Sequence, residues 1–483
     1  MGRIREIRRL RRRVRAGAPD PSLTRFSGLV AVTELVDRLN MIKLLDRAIG
    51  SIKTRNRGFS GGELLVGMAA AQLAGEDFLV GLDRQRADAA GKVLAPVAGL
   101  CSTTAAGLAR RFTDGQWHAV GTGIGDIGAA MLAALPAERA AALCEQVTID
   151  LDTTDVEVYG RHKRAVAYNY QGQRCGRPHV ATWAETATVL AGDLMAGNED
   201  PRPHAGALLN RALAALPARA RAGRILLRAD AGYFAGQLAR AALFADVEFA
   251  IGAKRVAPLW RILSGVGEDD WTDAIDMDDA QVAVAEYCPD WWPATTRLLI
   301  RRVALAPEQV SADPRSRRRR TLHPAQRALP IADLAGADAI YAYSFVVTNL
   351  DVSTPERTVA VEHWYRHRTQ VENVFRDAKH GAALRHLPSG YPQVNKAWMW
   401  GALLAVSIAG WLHQLTATPG PTGEMLGHGV RDGQAMIATL RHRLICVPAR
   451  LVRHAGALTL RLPPGQHLLQ AVLARIRRLP ATS

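Results

Sequence analysis

Hydrophobic periodicity divides the chain into two unlike parts. Between residues 25 and 140, apolar residues recur every three to four positions, which predicts a helical domain broken by glycines. From Val147 onward, apolar and polar residues alternate instead, which predicts a strand with Asp150 and Asp152 on one face. The change of period marks the start of a second, strand-containing domain.

The elements after this strand follow an order that indicates an α/β fold. Three strands come first, and helices then alternate with strands as far as Lys254. The segment 224–230, RILLRAD, predicts a short buried strand that ends in Asp230. We expect residues 141–254 and 339–418 to form one mixed five-stranded sheet with helices. Residues 255–338 interrupt these two parts, and their segments 281–287 and 296–305 alternate well enough to predict strands.

The stretch Tyr365–Lys379, YRHRTQVENVFRDAK, has the most unusual polar pattern of the chain. It contains no Gly or Pro and predicts one continuous helix. At about 100° per residue, five polar side chains share a stripe roughly 80° wide: Tyr365, Arg368, Glu372, Arg376 and Lys379. A single carboxylate among cations and a phenol suits a site that holds a metal and a phosphate. A solvated basic face is the alternative interpretation.

Charge points to a polyanionic partner. The chain of 483 residues has a net charge of +16 and a pI near 10.2, which favours binding to a phosphate backbone, with a membrane surface as the alternative partner. Residues 1–24 form a basic arm whose first sixteen positions hold eight arginines and one glutamate. This arm would lie along DNA or form a disordered tail. Residues 419–483 form a second basic region, whose role the sequence leaves open.

Membrane insertion and disulfide bonding are not expected. No run approaches 18 uncharged apolar residues, and no apolar segment of a secretory signal follows the basic start. The five cysteines are scattered and never form C-x-x-C, which favours a reducing cytosol and argues against a zinc site.

The spacing of Tyr365, Arg368, Glu372 and Lys379 resembles the Y-R-E-K signature of the DDE transposases of bacterial insertion sequences. The chain is most similar to their insertion sequence thirteen-eighty group. Asp152, in DTT, and Asp230, in DAGYF, match the two aspartates of that family. The resemblance implies an RNase H-like catalytic core interrupted by a β-rich insertion domain and preceded by a helical domain.

The resemblance also implies roles for individual residues. Asp152, Asp230 and Glu372 would be the catalytic carboxylates and would hold two Mg²⁺ ions, for which Mn²⁺ can substitute. Asp150 is the second choice for the ligand on the first strand. Arg368 and Lys379 would hold phosphates beside the cut, and Tyr365 would contact the terminal phosphate.

Five further residues are expected to contact DNA. Arg376 is added because it shares the helical stripe. Trp291 and Trp292 would stack on a flipped base, with two core or turn tryptophans as the alternative interpretation. Arg110 and Arg111 end a helix of the domain 25–140, which is either a DNA-binding or a plain dimerisation domain.

The predicted function is therefore cut-and-paste transposition. The enzyme would bind terminal inverted repeats as a homodimer on double-stranded DNA, cut through a hairpin intermediate and join 3′ ends to target DNA. It would act in the bacterial cytoplasm, associated with the nucleoid and not with a membrane. The alternatives are a catalytically silent DNA-binding regulator and a metal-dependent nuclease without strand transfer.

Overall fold

The computed structural model describes residues 6–7, 11, 14–53, 55, 57–305, 310–311, 320–321, 340–419, 425–427 and 434–480. Most of the arginine-rich start of the predicted arm 1–24 lies outside these residues, as do residues 306–309, 312–319 and 322–338 of the predicted insertion 255–338. Among the described helices, none is long and apolar enough to cross a bilayer.

The first part of the chain is helical, as its periodicity predicts. After a short strand β1 (Leu23–Thr24), eight helices follow: α1 (Leu29–Arg38), α2 (Met41–Ile49), α3 (Gly61–Leu73), α4 (Gly81–Ala87), α5 (Gly91–Leu94), α6 (Ser102–Ala109), α7 (Asp114–Ala134) and α8 (Ala137–Glu145). Capping boxes begin two of them, because Ser60 and Thr113 each exchange hydrogen bonds with the residue three positions later.

The second part is built on one large mixed sheet. Its first strands are β2 (Gln146–Thr153), β3 (Val156–Glu157), β4 (Ala167–Tyr168), β5 (Arg174–Trp183), β6 (Thr188–Ala196), β7 (Arg224–Ala229) and β8 (Glu248–Ala253). The strands β6, β5 and β2 are antiparallel neighbours, whereas β2, β7 and β8 are parallel neighbours. The central order is therefore β6-β5-β2-β7-β8, with β2 in the middle.

The sheet continues past β8 instead of ending at the five predicted strands. The strands β9 (Thr272–Asp273), β10 (Ala280–Glu286) and β11 (Arg297–Leu305) extend it, and two short strands, β12 (Val310–Ser311) and β13 (Arg320–Thr321), pair with each other. Strand β14 (Ile340–Thr348) then pairs with both β8 and β11. The sheet has eleven strands among the described residues. The described β9, β10 and β11 of the predicted insertion thus belong to the sheet of the core.

Helices cover this sheet. Between β6 and β11 lie α9 (Arg202–Ala215), α10 (Ala218–Arg221), α11 (Gly236–Phe244) and α12 (Ala257–Leu263). After β14 come α13 (Pro355–Arg366), α14 (Thr369–Arg376) and the long α15 (Pro392–Thr416). Helix α15 is buried along most of its length and packs on α3 and β6, so it joins the helical part to the sheet.

The C-terminal basic region is more ordered than its sequence suggests. It contains β15 (Thr418–Pro419), β16 (Met425–Leu426), α16 (Ile437–Leu440), β17 (Ala449–His454), β18 (Ala457–Arg461) and α17 (His467–Arg478). Strand β17 pairs with β1, and α17 packs on α1. Two of its cations bind the N-terminal part, since Arg450 pairs with Asp20 and Arg477 pairs with Glu34.

Candidate active site

Two of the predicted carboxylates lie at the same edge of the sheet. Strands β2 and β7 are parallel, and Leu151 lies opposite Ala229, so the next residues, Asp152 and Asp230, leave the two strands side by side. The Asp230 carboxylate accepts a hydrogen bond of 2.8 Å from the backbone N–H of Gly232 and so caps the turn that follows. The carboxyl ends of neighbouring parallel strands are the usual place for ligands in open α/β sheets.

Asp152 is buried, and its ionised form therefore needs a cation. Burial raises the pKa of Asp152 to about 7, the charge of Arg368 opposes that rise, and the charge of Asp230 adds to it. The backbone N–H of Thr153 donates to Asp152 Oδ1 over 2.7 Å. The site thus strongly favours any additional positive charge.

Arg368 supplies positive charge at this edge. Its Nη1 lies 3.2 Å from Asp152 Oδ2, and its Nη2 lies 3.6 Å from Glu372 Oε1. The Glu372 side chain is 62% exposed, so Arg368 connects a buried carboxylate to a solvated one. Within the described part of the chain, no three His, Cys, Asp or Glu side chains are grouped closely enough to hold a metal ion. The structure brings Asp152 and Asp230 together and links Glu372 to them through Arg368.

The predicted continuous helix Tyr365–Lys379 is wrong in detail. Helix α13 ends at Arg366, α14 begins at Thr369, and residues Asp377–Gly381 form a π-helical turn. The break places Arg368 at the N-cap of α14. Because the helix is interrupted, its five polar residues do not share one straight stripe.

Tyr365 lies behind Asp230 and not in the open. Its hydroxyl donates to the carbonyl oxygen of Ala229 over 3.1 Å, and burial raises its pKa to about 12. A Cβ at Gly252 would lie 2.6 Å from this hydroxyl, which explains why the neighbouring strand carries glycine there. In this structure Tyr365 supports the residue that precedes Asp230.

Lys379 and Arg376 point in different directions. Lys379 Nζ donates to the carbonyl oxygen of Asp155 over 2.8 Å, three residues after Asp152. Burial lowers the pKa of Lys379. Arg376 is exposed, and its Nη2 lies 3.8 Å from Met436 Sδ. Lys379 therefore lies near the edge formed by Asp152 and Asp230, whereas the contact of Arg376 is with the C-terminal region.

The predicted tryptophans also differ from each other. Trp292 is buried among aromatic rings, with its ring centre 5.4 Å from Phe234 and 6.4 Å from Phe249. Its ring is not accessible to a base in this structure, which agrees with the core alternative. Trp291 is exposed and meets the ring of Phe234 edge-on at 5.5 Å. Trp291 is thus the accessible member of the pair.

Arg110 and Arg111 are both exposed just after α6. The guanidinium carbon of Arg110 lies 5.0 Å from the ring centre of Tyr391, at the start of α15. The C-terminal end of α6 thus reaches the start of α15.

Sequence reasoning missed the partner of Asp150. Arg228 on β7 donates from Nε and Nη2 to the two oxygens of Asp150, over 2.7 and 2.8 Å, and both side chains are buried. Arg228 also donates to the carbonyl oxygen of Trp364. Asp150, the second choice for a metal ligand, is therefore held in a structural ion pair. An arginine inside the apolar strand RILLRAD was the available signal, because it needs a buried carboxylate.

Comparisons with known proteins identify the family of the chain. The family described as transposase DDE domain group 1 matches residues 8–312 and 333–481. Among solved structures, the chain is similar to the piggyBac transposase synaptic complex with hairpin DNA. The two share 11% identity and a TM-score of 0.38, covering 95% of this chain and 87% of that one. No curated protein matches significantly. Because the family match spans nearly the whole sequence, the protein belongs to the transposase DDE domain group 1 family.

Proposed function

We propose that this protein is a DDE transposase that cuts DNA at the edge formed by Asp152 and Asp230. The observation that carries the proposal is the pair of carboxylates at the ends of adjacent parallel strands, with Arg368 beside them. Family membership supports the transposase role. The strand order β6-β5-β2-β7-β8 and its directions support an RNase H-like core.

A divalent metal ion fits the chemistry of this edge. Carboxylate oxygens are the ligands that Mg²⁺ and Mn²⁺ prefer, and burial together with the charge of Asp230 raises the pKa of Asp152 in spite of the neighbouring Arg368. Asp152 and Asp230 would hold the ion, and Glu372 is the third candidate ligand. Such an ion would activate the attacking oxygen and stabilise the leaving one.

The neighbouring side chains would orient the DNA. Arg368 presents a fork of donors that suits a phosphate as well as a carboxylate. Lys379 would fix the loop that follows Asp152 through its bond to Asp155. Tyr365 would hold the end of β7, and with it Asp230, in place. Trp291 and the exposed Arg110 and Arg111 remain proposed DNA contacts.

The individual steps of transposition are proposed from the Y-R-E-K spacing of Tyr365, Arg368, Glu372 and Lys379. These steps are binding of terminal inverted repeats, a hairpin intermediate, joining of 3′ ends and a homodimeric complex with both ends. The proposal includes membership of the insertion sequence thirteen-eighty group and action at the bacterial nucleoid. The domain boundaries 25–140, 255–338 and 419–483 are part of the same proposal.

A cleavage assay tests the function. A labelled duplex from the edge of the protein's own gene is incubated with Mg²⁺ or Mn²⁺ and analysed on a denaturing gel. The wild type and Glu356→Gln, an exposed glutamate in the first turn of α13, should produce a nick and a hairpin-sized product. Glu372→Gln should produce neither. Tight binding without cleavage by any of the three would instead favour a silent regulator. Cleavage without joined products would favour a nuclease.

A further inference from the structure

A hairpin next to the catalytic edge exposes three aromatic side chains. Residues 156–174, here called the tyrosine hairpin, run from β3 through β4 to the start of β5. Tyr159, Tyr168 and Tyr170 have 85%, 67% and 88% of their surface exposed. Tyr168 ends β4, and Tyr170 follows the buried Asn169 in the turn between β4 and β5, so the two exposed rings lie two residues apart at the tip of the hairpin. Exposed aromatic rings grouped in this way are typical of binding sites.

The charge of the tyrosine hairpin is strongly positive. It contains Arg161, Lys163, Arg164 and Arg174, with Glu157 as its one carboxylate. Arg161 and Arg164 are exposed. Cations interleaved with aromatic rings match a nucleic-acid strand, because the cations bind phosphates and the rings stack on bases.

The tyrosine hairpin is fixed to the catalytic edge. Asp155, three residues after Asp152, accepts hydrogen bonds from Asn169 at 2.8 Å and from Arg177 at 2.7 Å. Lys379 binds the carbonyl oxygen of the same Asp155. On the other side, Lys163 donates to the carbonyl oxygen of Leu387. Because the hairpin is already ordered, little conformational entropy would be lost when it binds a strand.

The basic surface continues from the tyrosine hairpin onto the helical domain. Arg164 and Arg110 lie 5.8 and 5.0 Å from the ring centre of Tyr391. Two parts of the chain that are far apart in sequence thus contribute guanidinium groups around one exposed ring. A DNA end at Asp152 would have cations available from both parts.

We propose that the tyrosine hairpin binds unpaired nucleotides of a DNA end, whose bases stack on Tyr168 and Tyr170 while Arg161 and Arg164 hold the phosphates. This inference rests on the proposed function, since a strand cut at Asp152 would have to leave its duplex close by. The tyrosine hairpin would then bind the separated strand, and other surfaces of the protein would bind the paired duplex.

The test compares two fluorescent DNA probes. Both come from the edge of the protein's own gene: one is a blunt duplex, and the other has a short single-stranded overhang that carries 2-aminopurine. Without divalent ions, the full-length wild type should bind the overhang probe more tightly and quench its fluorescence through stacking. Replacing Tyr168 and Tyr170 together by Ala should weaken overhang binding roughly ten- to hundredfold. Binding of the blunt duplex should stay unchanged.

Two control variants separate stacking from other effects. Replacing both tyrosines by Phe keeps the rings and should keep tight binding and quenching. Phe244→Ala removes an aromatic ring that is 96% exposed at the end of α11 and should change nothing. Circular dichroism should show the same folded structure for all variants, because these side chains are exposed.

Three results would overturn the inference. The first is equal affinity of the wild type for both probes, and the second is overhang binding that survives the Ala substitutions. The third is that a polyanion such as heparin displaces both probes equally and that the overhang probe shows no quenching. This result would indicate that the protein binds both probes through charge alone. If the same wild type still cuts duplex DNA in Mg²⁺, the proposed function stands without the inference. If the wild type binds neither probe and does not cut duplex DNA, both the inference and the proposed function are wrong.

Discussion

Arg368 Nη1 lies 3.2 Å from Asp152 Oδ2, so an arginine supplies positive charge to the buried carboxylate at the edge of the sheet. The same guanidinium reaches Glu372, and Asp230 ends the neighbouring strand. This arrangement of charges is the basis of the proposed metal and phosphate site, with Arg368 as the internal cation.

Replacing Arg368 by Gln should lower the melting temperature in the absence of divalent ions, because Asp152 loses its cation. Millimolar Mg²⁺ or Mn²⁺ should then raise the melting temperature of Arg368→Gln more than that of the wild type, since an ion would replace the missing charge. Arg368→Lys keeps a positive charge and serves as the control. The same metal-induced increase in all three proteins would show that Arg368 is not the balancing charge.

Gly252→Ala should disturb the support of Asp230. The added methyl group would lie 2.6 Å from the Tyr365 hydroxyl and 2.9 Å from the backbone N of Ala231. Overpacking of this kind costs about 1–3 kcal/mol of unfolding free energy. Tyr365→Phe removes the nearer obstacle, so the double variant should recover part of the loss. A double-mutant cycle in urea measures this coupling; strictly additive effects would contradict the described contact.

The buried pair of Asp150 and Arg228 should be structural. Arg228→Met leaves a buried carboxylate without its partner and should lower the free energy of unfolding by about 3–5 kcal/mol. Replacing both residues, Asp150→Leu with Arg228→Met, should recover most of that loss in chemical denaturation. If the double variant is folded and cuts DNA, Asp150 is no metal ligand. Complete loss of cleavage in a stable double variant would reopen that role.

Protonation of His179 should destabilise the protein in acid. This buried ring lies 5.6 Å from the ring of Tyr233, and neither of its nitrogens has a hydrogen-bond partner among the described residues. Burial lowers the pKa of His179 to about 4 from 6.5. Between these values the unfolded chain binds a proton that the folded chain excludes. The stabilisation is therefore complete above pH 6.5 and is lost as the pH falls towards 4.

The measurement is the urea midpoint as a function of pH. His179→Phe should flatten the decline by up to about 1.4 kcal/mol per pH unit relative to the wild type. The exposed His454→Gln on β17 should leave the slope unchanged. Parallel slopes for the wild type and His179→Phe would mean that the pKa of His179 does not differ between the folded and the unfolded chain.

Periodicity in the sequence predicted the elements that carry the two aspartates. Alternation indicated β2 with Asp150 and Asp152 on one face, and the apolar run RILLRAD indicated β7, as the structure has them. These predictions succeed because strand alternation and burial are local properties. The continuous helix Tyr365–Lys379 failed, since good helix formers do not reveal a break that tertiary contacts of Arg368 stabilise.

Long-range relationships could not be predicted from one sequence. The pairing of Asp150 with Arg228 depends on the register between β2 and β7, which local pattern does not fix. The extension of the sheet through β14 and β11 depends on the pairing of β14 with the edge of β8, which lies far away in sequence. Likewise, both tryptophans of Trp291-Trp292 look alike in sequence, and packing alone decides that Trp292 is buried.

The most direct test of the central claim is a metal-switch measurement at Asp152. Asp152→Cys replaces a hard oxygen ligand by a softer thiolate, which disfavours Mg²⁺ more than Mn²⁺. Cleavage of the duplex from the gene edge should disappear in Mg²⁺ and return in part in Mn²⁺, whereas the wild type cuts with either ion. Equal cleavage by Asp152→Cys and wild type in Mg²⁺ would contradict a metal-binding role for Asp152 and with it the proposed catalytic edge.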